Sequence, residues 1–386
     1  MHVEPYPYAA SAWLDDQLVV QSDACLCAEA PGELPVLYFP ATDIDVGKFD
    51  DLAASLRPAA PLHGLADHVA FDQERIRIEV TDEAAGDAAR EVTVKRFPTW
   101  GDATHLVDVM DVRPTDDSNL SFVTVARSDE RRPVVEASQM LGQAVAAAGR
   151  YAEHRRVVSA SMIFLRAADA RQPLRLELAE LSSGRTFSGL GVQVFQGPRV
   201  CAAGTLLLDV PSDDVIRHAV DAPDVAGPYE CEPYDMGVTG RDIRVVDGGY
   251  ANDPDEPAGP PTVDAWVRFR HVPDDRALHA GLLAQFTGHM SIAAALRPHE
   301  GVSQDQAHRT LSMAINSINL SLYGPVKVDD WLLYHHQSTF AGAATTHAEN
   351  RVYDLDGALV ASFSVDAMVR PLPSGARGPM DARTAL

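Results

Sequence analysis

The chain has 386 residues and a mass of 41.6 kDa, enough for two or three domains, because single hydrophobic cores stop growing near ~250–300 residues. With 46% apolar and 23% charged residues it reads as an ordinary globular protein rather than a disordered or membrane-embedded one. The 55 acidic against 32 basic residues give a net charge of −23, which disfavours nucleic acid or an anionic membrane as partner and admits a polyanionic small molecule only through a local basic pocket.

Residues 1–88 read as a small β-rich domain. Its strand-like runs are Trp13 to Val20, Pro35-Val-Leu-Tyr-Phe-Pro40, His68-Val-Ala-Phe71 and Arg75 to Val80. The last of these alternates with the period of a half-buried strand. Of the four cysteines, Cys25 and Cys27 share one strand face, while Cys201 and Cys231 lie far away. Neither a disulfide framework nor a zinc site follows from that spacing, and no cofactor is expected. No charged-then-apolar leader opens the chain and no apolar run reaches ~18 residues, so a cytoplasmic protein is expected.

Residues 89–210 carry one helix followed by strands. Apolar Ala137, Met140, Leu141, Ala144, Ala147 and Ala148 recur at helical spacing. Strand-like runs follow at 157–165, 174–178, 186–195 and 200–208, separated by turn-rich segments. Residues 211–262 are Pro-rich and read as a linker, with Asp242 to Val246 as a possible extra strand. From 263 to 372 the same plan recurs: a long apolar helix over Ala277 to Leu296, then strands around Ser317, Trp331 to Tyr334 and Leu359 to Ser362. The repetition predicts an internal duplication in which one chain buries what single domains bury by dimerising. The tail, residues 373–386, is expected to be disordered.

One helix cradled by a long curved antiparallel sheet is the hot-dog arrangement. The predicted class is therefore α+β, a double hot-dog preceded by a small β-rich domain. The chain resembles the acyl-CoA thioesterase II (TesB) family over roughly residues 90–372. In the first half the resemblance rests on Gln139, Gly142 to Ala144, Phe164 to Arg166 and Gly184 to Phe187. In the second it rests on Leu282 to Ala284, Ala295 to His299, Ser317 to Asn319, Asp330 to Tyr334 and Leu359 to Ser362. The N-terminal segment resembles a small β-domain family of unknown function through Trp13, Val36 to Pro40 and Asp67 to Phe71.

The TesB resemblance implies an acyl-CoA or acyl-carrier thioester as substrate, a hydrolytic reaction and assembly into homo-oligomers. In that family an aspartate, a threonine and a glutamine orient a water against the thioester carbonyl. Those positions fall here on Gly288, Ser317 and Val365, so only a hydroxyl is kept. His289, beside Gly288, is the candidate replacement base, because imidazole titrates near neutrality. On a continuous helix it would point ~100° away from residue 288. Glu136 stands at the start of the first helix, where single hot-dog thioesterases often bear a carboxylate. Gln139 is a candidate for placing the acyl carbonyl. Asp366 is a substrate-contact candidate, although side-chain alternation puts it on the opposite strand face from Val365. Arg297, Arg268, Arg270 and Arg185 are candidates for coenzyme A phosphates. His335 and His336 should point to opposite faces, and His299, His308 and His347 lack metal-ligand spacing. Hydrolysis by a divergent site, acyl-thioester or partner binding by a degenerate one, and a non-hydrolytic reaction on the same fold all remain open.

Overall fold

The computed structural model describes residues 2–6, 9–14, 16–29, 36–44, 56–57, 65–72, 75–81, 94–96, 105–125, 134–234, 240–250, 254–270, 272–307 and 309–372. His308 and the tail from 373 lie outside them. The chain divides into two compact units, Met1–Ala103 and Thr104–Leu386.

The first unit holds two small antiparallel sheets. In one, Ala9–Leu14 pairs with both Gln17–Ser22 and Arg77–Thr81; in the other, Leu26–Glu29 pairs with Val36–Pro40. Ala12, Val20, Leu37, Phe39, Phe71 and Ile78 form its core, together with Cys25 and Cys27, both buried and reduced. Burial pushes the Cys25 thiol up to about 12, so it is an inert apolar filler rather than a nucleophile.

The second unit is built on one 13-stranded antiparallel sheet. Its strands in chain order are β1 (Arg113–Pro114), β2 (Ser121–Val123), β3 (Arg156–Phe164), β4 (Arg175–Ser183), β5 (Phe187–Gln196), β6 (Arg199–Asp209) and β7 (Glu232–Pro233). They continue with β8 (Arg241–Val245), β9 (Thr262–Phe269), β10 (Leu311–Leu322), β11 (Leu332–Gly342), β12 (Thr345–Tyr353) and β13 (Leu359–Pro371). In the spatial order β1-β2-β4-β5-β6-β3-β10-β13-β12-β11-β9-β8-β7, the strands read outward from the β3–β10 seam follow the same sequence in both directions, with β7 as an extra strand on one side. At the centre of that seam Ser161 pairs with Asn319. This repeated order is the predicted duplication, seen as topology.

The helices are α1 (His105–Met110), α2 (Ala137–Tyr151), α3 (Arg276–Phe286) and α4 (Ser291–Leu296). Helix α2 is not a one-sided amphipathic helix. Met140 through Ala148 are all buried, because the sheet takes one side and α3 takes another. Small residues allow the approach of α2 and α3. A Cβ added to Gly142 would stand 2.4 Å from the Gly281 carbonyl oxygen, and one added to Gly149 would stand 2.6 Å from the Ala277 Cβ. The pairing of 142 with 281 and 149 with 277 makes the two helices antiparallel.

Two sequence expectations change. The long helix over 277–296 is broken: α3 ends at Phe286, and Met290 takes a left-handed φ of 64° before α4 begins. Gly288 in the break carries the weakest helix propensity of any residue but proline, and the last carbonyls of α3 find partners outside the helix. The Leu283 oxygen accepts from Tyr334 Oη, Ala284 from Thr287 Oγ1, and Phe286 from the His289 N–H. The Pro-rich stretch 211–262 is not a free tether. Its β7 and β8 extend the sheet edge, and Ala222, Val225 and Ala226 pack on Trp266, Trp331 and Tyr353.

Candidate functional site

The break after α3 redirects His289. Its ring lies parallel to Phe286, with centroids 4.7 Å apart, and its Nδ1 sits 3.3 Å from the Phe286 carbonyl oxygen. The ring is buried, and its Nε2 lies 3.2 Å from Arg241 Nη2 and 3.5 Å from Glu136 Oε2. Arginine can only donate, so Arg241 takes the Nε2 lone pair and leaves Nδ1–H to point at the Phe286 oxygen. Arg241 also donates through Nη1 to Gln285 Oε1 at 2.9 Å, and its guanidinium lies 5.0 Å from the Phe286 ring centre. With its oxygen turned to Arg241, Gln285 donates through Nε2 to Glu136 Oε2 at 3.0 Å. Glu136 stands at the start of α2, Gln285 near the end of α3, His289 in the turn after it and Arg241 on β8, so this polar chain ties the first helix to the second helix and the sheet.

Glu136 is also the N-cap residue of α2, yet its side chain makes no capping hydrogen bond. The neighbouring Ser138 is 1% exposed and its Oγ has no hydrogen-bond partner. A Cβ at Gly288 would stand 2.4 Å from that Oγ. The opposite end of the helix pair differs: Asp275 Oδ1 accepts from the N–H groups of Ala277 and Leu278 and closes the N-terminus of α3. Thus one helix N-terminus is capped by its own chain. The other has a carboxylate turned aside, a buried hydroxyl without a partner, and Gln139 half-buried in the same turn.

Ser317 does not join this group. A β-bulge between Ile315 and Ser317 turns its side chain to the same face as Asp366, and its Oγ donates to Asp366 Oδ2 at 2.7 Å. From this strand, Ile315 is the residue that faces Gly288, with its Cδ1 3.1 Å from a Cβ placed there. Val365 is buried and pairs with buried Ile318 on the core face. The residues at 288, 315 and 365 therefore offer no polar atom from a side chain. Asp366 lies on the outer face, as alternation predicted, where its Oδ1 is 2.6 Å from His347 Nδ1. There it lines an open groove with Asn316, Phe340 and Thr346. Burial alone would raise the Asp366 carboxyl, but hydrogen bonds from Ser317 and His347 outweigh it and hold the group below its usual range.

The arginines expected near phosphates are mostly committed elsewhere. Arg268 and Arg270 both bind Asp242. Arg297 donates to the Thr262 carbonyl and packs against Gly249 and Gly259. Only Arg185 stands exposed, in the connection between β4 and β5. His335 and His336 face opposite sides. His335 meets Asp264 at 2.7 Å, whereas His336 is fully buried with Nδ1 3.2 Å from Ser291 Oγ. Sequence reasoning missed Arg241, Gln285 and Ser138. Arg241 lies in a stretch read as linker, although an arginine inside an alternating strand that packs on a helix was the available signal.

Comparison with known proteins gives a consistent likeness. A profile described as acyl-CoA thioesterase N-terminal domain matches residues 129–208, and one described as acyl-CoA thioesterase C-terminal domain matches residues 217–368. Acyl-CoA thioesterase 2 of Haemophilus influenzae is 24% identical over 250 residues, 60% of this chain and 86% of that protein. Human acyl-coenzyme A thioesterase 8 is 23% identical over 272 residues, 61% of this chain and 80% of its own length. Among solved structures, the TesB protein of Mycobacterium avium subsp. paratuberculosis superposes with a TM-score of 0.59 at 21% identity, covering 70% of this chain and all of that one. The acyl-CoA thioesterase II TesB2 of Mycobacterium marinum gives 0.58 at 21% identity, covering 71% and 99%. At such identity the structural likeness speaks for the fold.

Proposed function

Since the chain belongs to the TesB-like acyl-CoA thioesterase family, we propose that it hydrolyses acyl-CoA thioesters at the junction of α2 and α3, with Glu136 in place of the family's polar trio. The observation that carries this reading is the contrast between the two helix N-termini. Asp275 closes one; at the other the Glu136 side chain makes no capping hydrogen bond and the Ser138 hydroxyl lies buried without a partner.

The chemistry follows from what each group offers. The thioester carbonyl oxygen accepts from the first-turn N–H groups of α2, where the positive end of the helix dipole stabilises the charge that develops in the transition state. The Glu136 side chain is 29% exposed, enough for a water to reach it. Glu136 removes a proton as the water oxygen attacks the carbonyl carbon. Collapse of the tetrahedral intermediate breaks the C–S bond, and Glu136 returns the proton to the departing thiolate. The products are a carboxylate and free coenzyme A. Ile315, which faces Gly288, and Val365, at the family's glutamine position, border the acyl chain.

The test is free-thiol release from short, medium and long acyl-CoAs. Glu136→Gln should lower kcat by ~10²–10⁴, the usual contribution of a general base, while Ser317→Ala keeps the wild-type rate. A second reading, an acyl-thioester binder without turnover, draws on the apolar residues at 288, 315 and 365. Calorimetric binding of acyl-CoA with no thiol release from any chain length would establish it in place of hydrolysis.

A further inference from the structure

We propose that Arg241 is a positioning residue of this site, acting on Glu136 through Gln285 and holding His289 as its neutral brace. The inference rests on the hydrolytic reading above and adds a residue that neither the family's polar positions nor the sequence pattern indicated.

Four side chains meet in a fixed donor–acceptor order. Gln285 lies between Glu136, which when ionised only accepts, and Arg241, which only donates, so its amide is satisfied in one orientation alone. Arg241 anchors the oxygen end. It has no acceptor, so the 2.9 Å contact to Nη1 requires Oε1 there and leaves Nε2 to donate to Glu136 Oε2 at 3.0 Å. The second Arg241 nitrogen meets His289 Nε2 at 3.2 Å, which prevents that nitrogen from carrying a proton while the guanidinium is in place. His289 therefore cannot donate to Glu136 across their 3.5 Å separation. It braces the guanidinium instead, sandwiched on Phe286. The Gln285 amide donates to that carboxylate oxygen.

The electrostatics agree. Gln285 is 2% exposed and Arg241 and His289 are each 7% exposed, so the positive charge of Arg241 is poorly screened. It favours the ionised, proton-accepting form of Glu136 and opposes a charged His289. Among the described residues, Arg241 from β8 and His289 from the turn after α3 are charged or titratable groups that face the carboxylate. Behind His289 lies His336 from β11, which burial holds neutral with a value of about 3. Arg241 reaches the site from β8, one strand in from the sheet edge, so the segment read as linker furnishes part of the site.

The test is a pH–rate profile of thiol release. Arg241→Met should lower kcat at least ten-fold with KM little changed and move the acid limb upward, because Glu136 loses the charge that keeps it ionised. Arg241→Lys should restore part of kcat and return the acid limb towards wild type. Gln285→Met leaves Arg241 in place and should lower kcat without the same displacement; it carries the test if Arg241→Met does not fold. Wild-type kcat and profile in folded Arg241→Met and Gln285→Met proteins, with Glu136→Gln inactive, would overturn the relay and leave the hydrolytic reading standing. Absence of thiol release by the wild type on every acyl-CoA would overturn both.

Discussion

Gly288 is sterically obligatory, and the reason can be measured. A Cβ at 288 would stand 2.4 Å from Ser138 Oγ, 2.7 Å from Ser138 Cβ and 3.1 Å from Ile315 Cδ1. Rotation of the serine relieves the first contact only, since its Cβ is fixed by the α2 backbone. Gly288→Ala should therefore overpack a tight contact at a cost of ~1–3 kcal/mol. For a unit of this size that corresponds to roughly 2–10 °C in Tm. Calorimetric unfolding of a double-mutant series checks the cause. The cost of Gly288→Ala should fall in steps from the wild-type background to Ser138→Ala, which removes Oγ, and to Ser138→Gly, which removes Cβ as well. The coupling should be on the order of 1 kcal/mol or more, as expected for residues in contact. A Gly288→Ala protein within about 0.5 kcal/mol of wild type, the ordinary range for a substitution without a named mechanism, would refute the reasoning; so would a cost that Ser138→Gly leaves unchanged. By the same geometry, Gly288→Asp alone cannot rebuild the family carboxylate, because Ser138 already occupies its place.

Two further outcomes follow from buried charges. Burial, aided by the nearby His335 and His289, pushes the His336 imidazole down to about 3. An unfolded histidine titrates near 6.5, so the folded state refuses a proton that the unfolded state takes. Stability present above pH 6.5 should drain as pH falls towards 3, by up to ~1.4 kcal/mol per pH unit from this residue. His336→Leu should flatten the measured slope between pH 6 and 4, and an unchanged slope contradicts the assignment. Asp242 joins two nearly buried guanidiniums, Arg268 and Arg270. Asp242→Asn strips both of their shared anion and should cost ~3–5 kcal/mol in urea unfolding; a loss below 1 kcal/mol shows that the pair is solvated.

The fold was legible because its signals are periodic and local. The helix at 137–148, the alternating strands and the repeated plan after 263 all follow from spacing, and the sheet order repeats as that plan implies. The site was legible only in part, since its geometry turns on departures from period. One bulged residue, Asn316, moved Ser317 to the outer face. A left-handed Met290 stopped a helix whose composition ran on to Leu296, and so redirected His289. Glu136 was a candidate from its place at a helix start, but Gln285, which donates to it, and Arg241, which donates to Gln285, are 149 and 105 residues further along the chain. No local pattern ties them to Glu136.

The seam between β3 and β10 has an evolutionary consequence. In an assembly of identical subunits every substitution is made at two places at once, so a residue that strengthens one helix end and one that opens it for chemistry compete for the same codon. A chain that holds both copies is released from that conflict. Here the second copy took Asp275 and became a clamp; the first took Glu136 and stayed receptive. The two ends of one helix pair thus differ in their caps, and the proposed reaction centre lies at one of them.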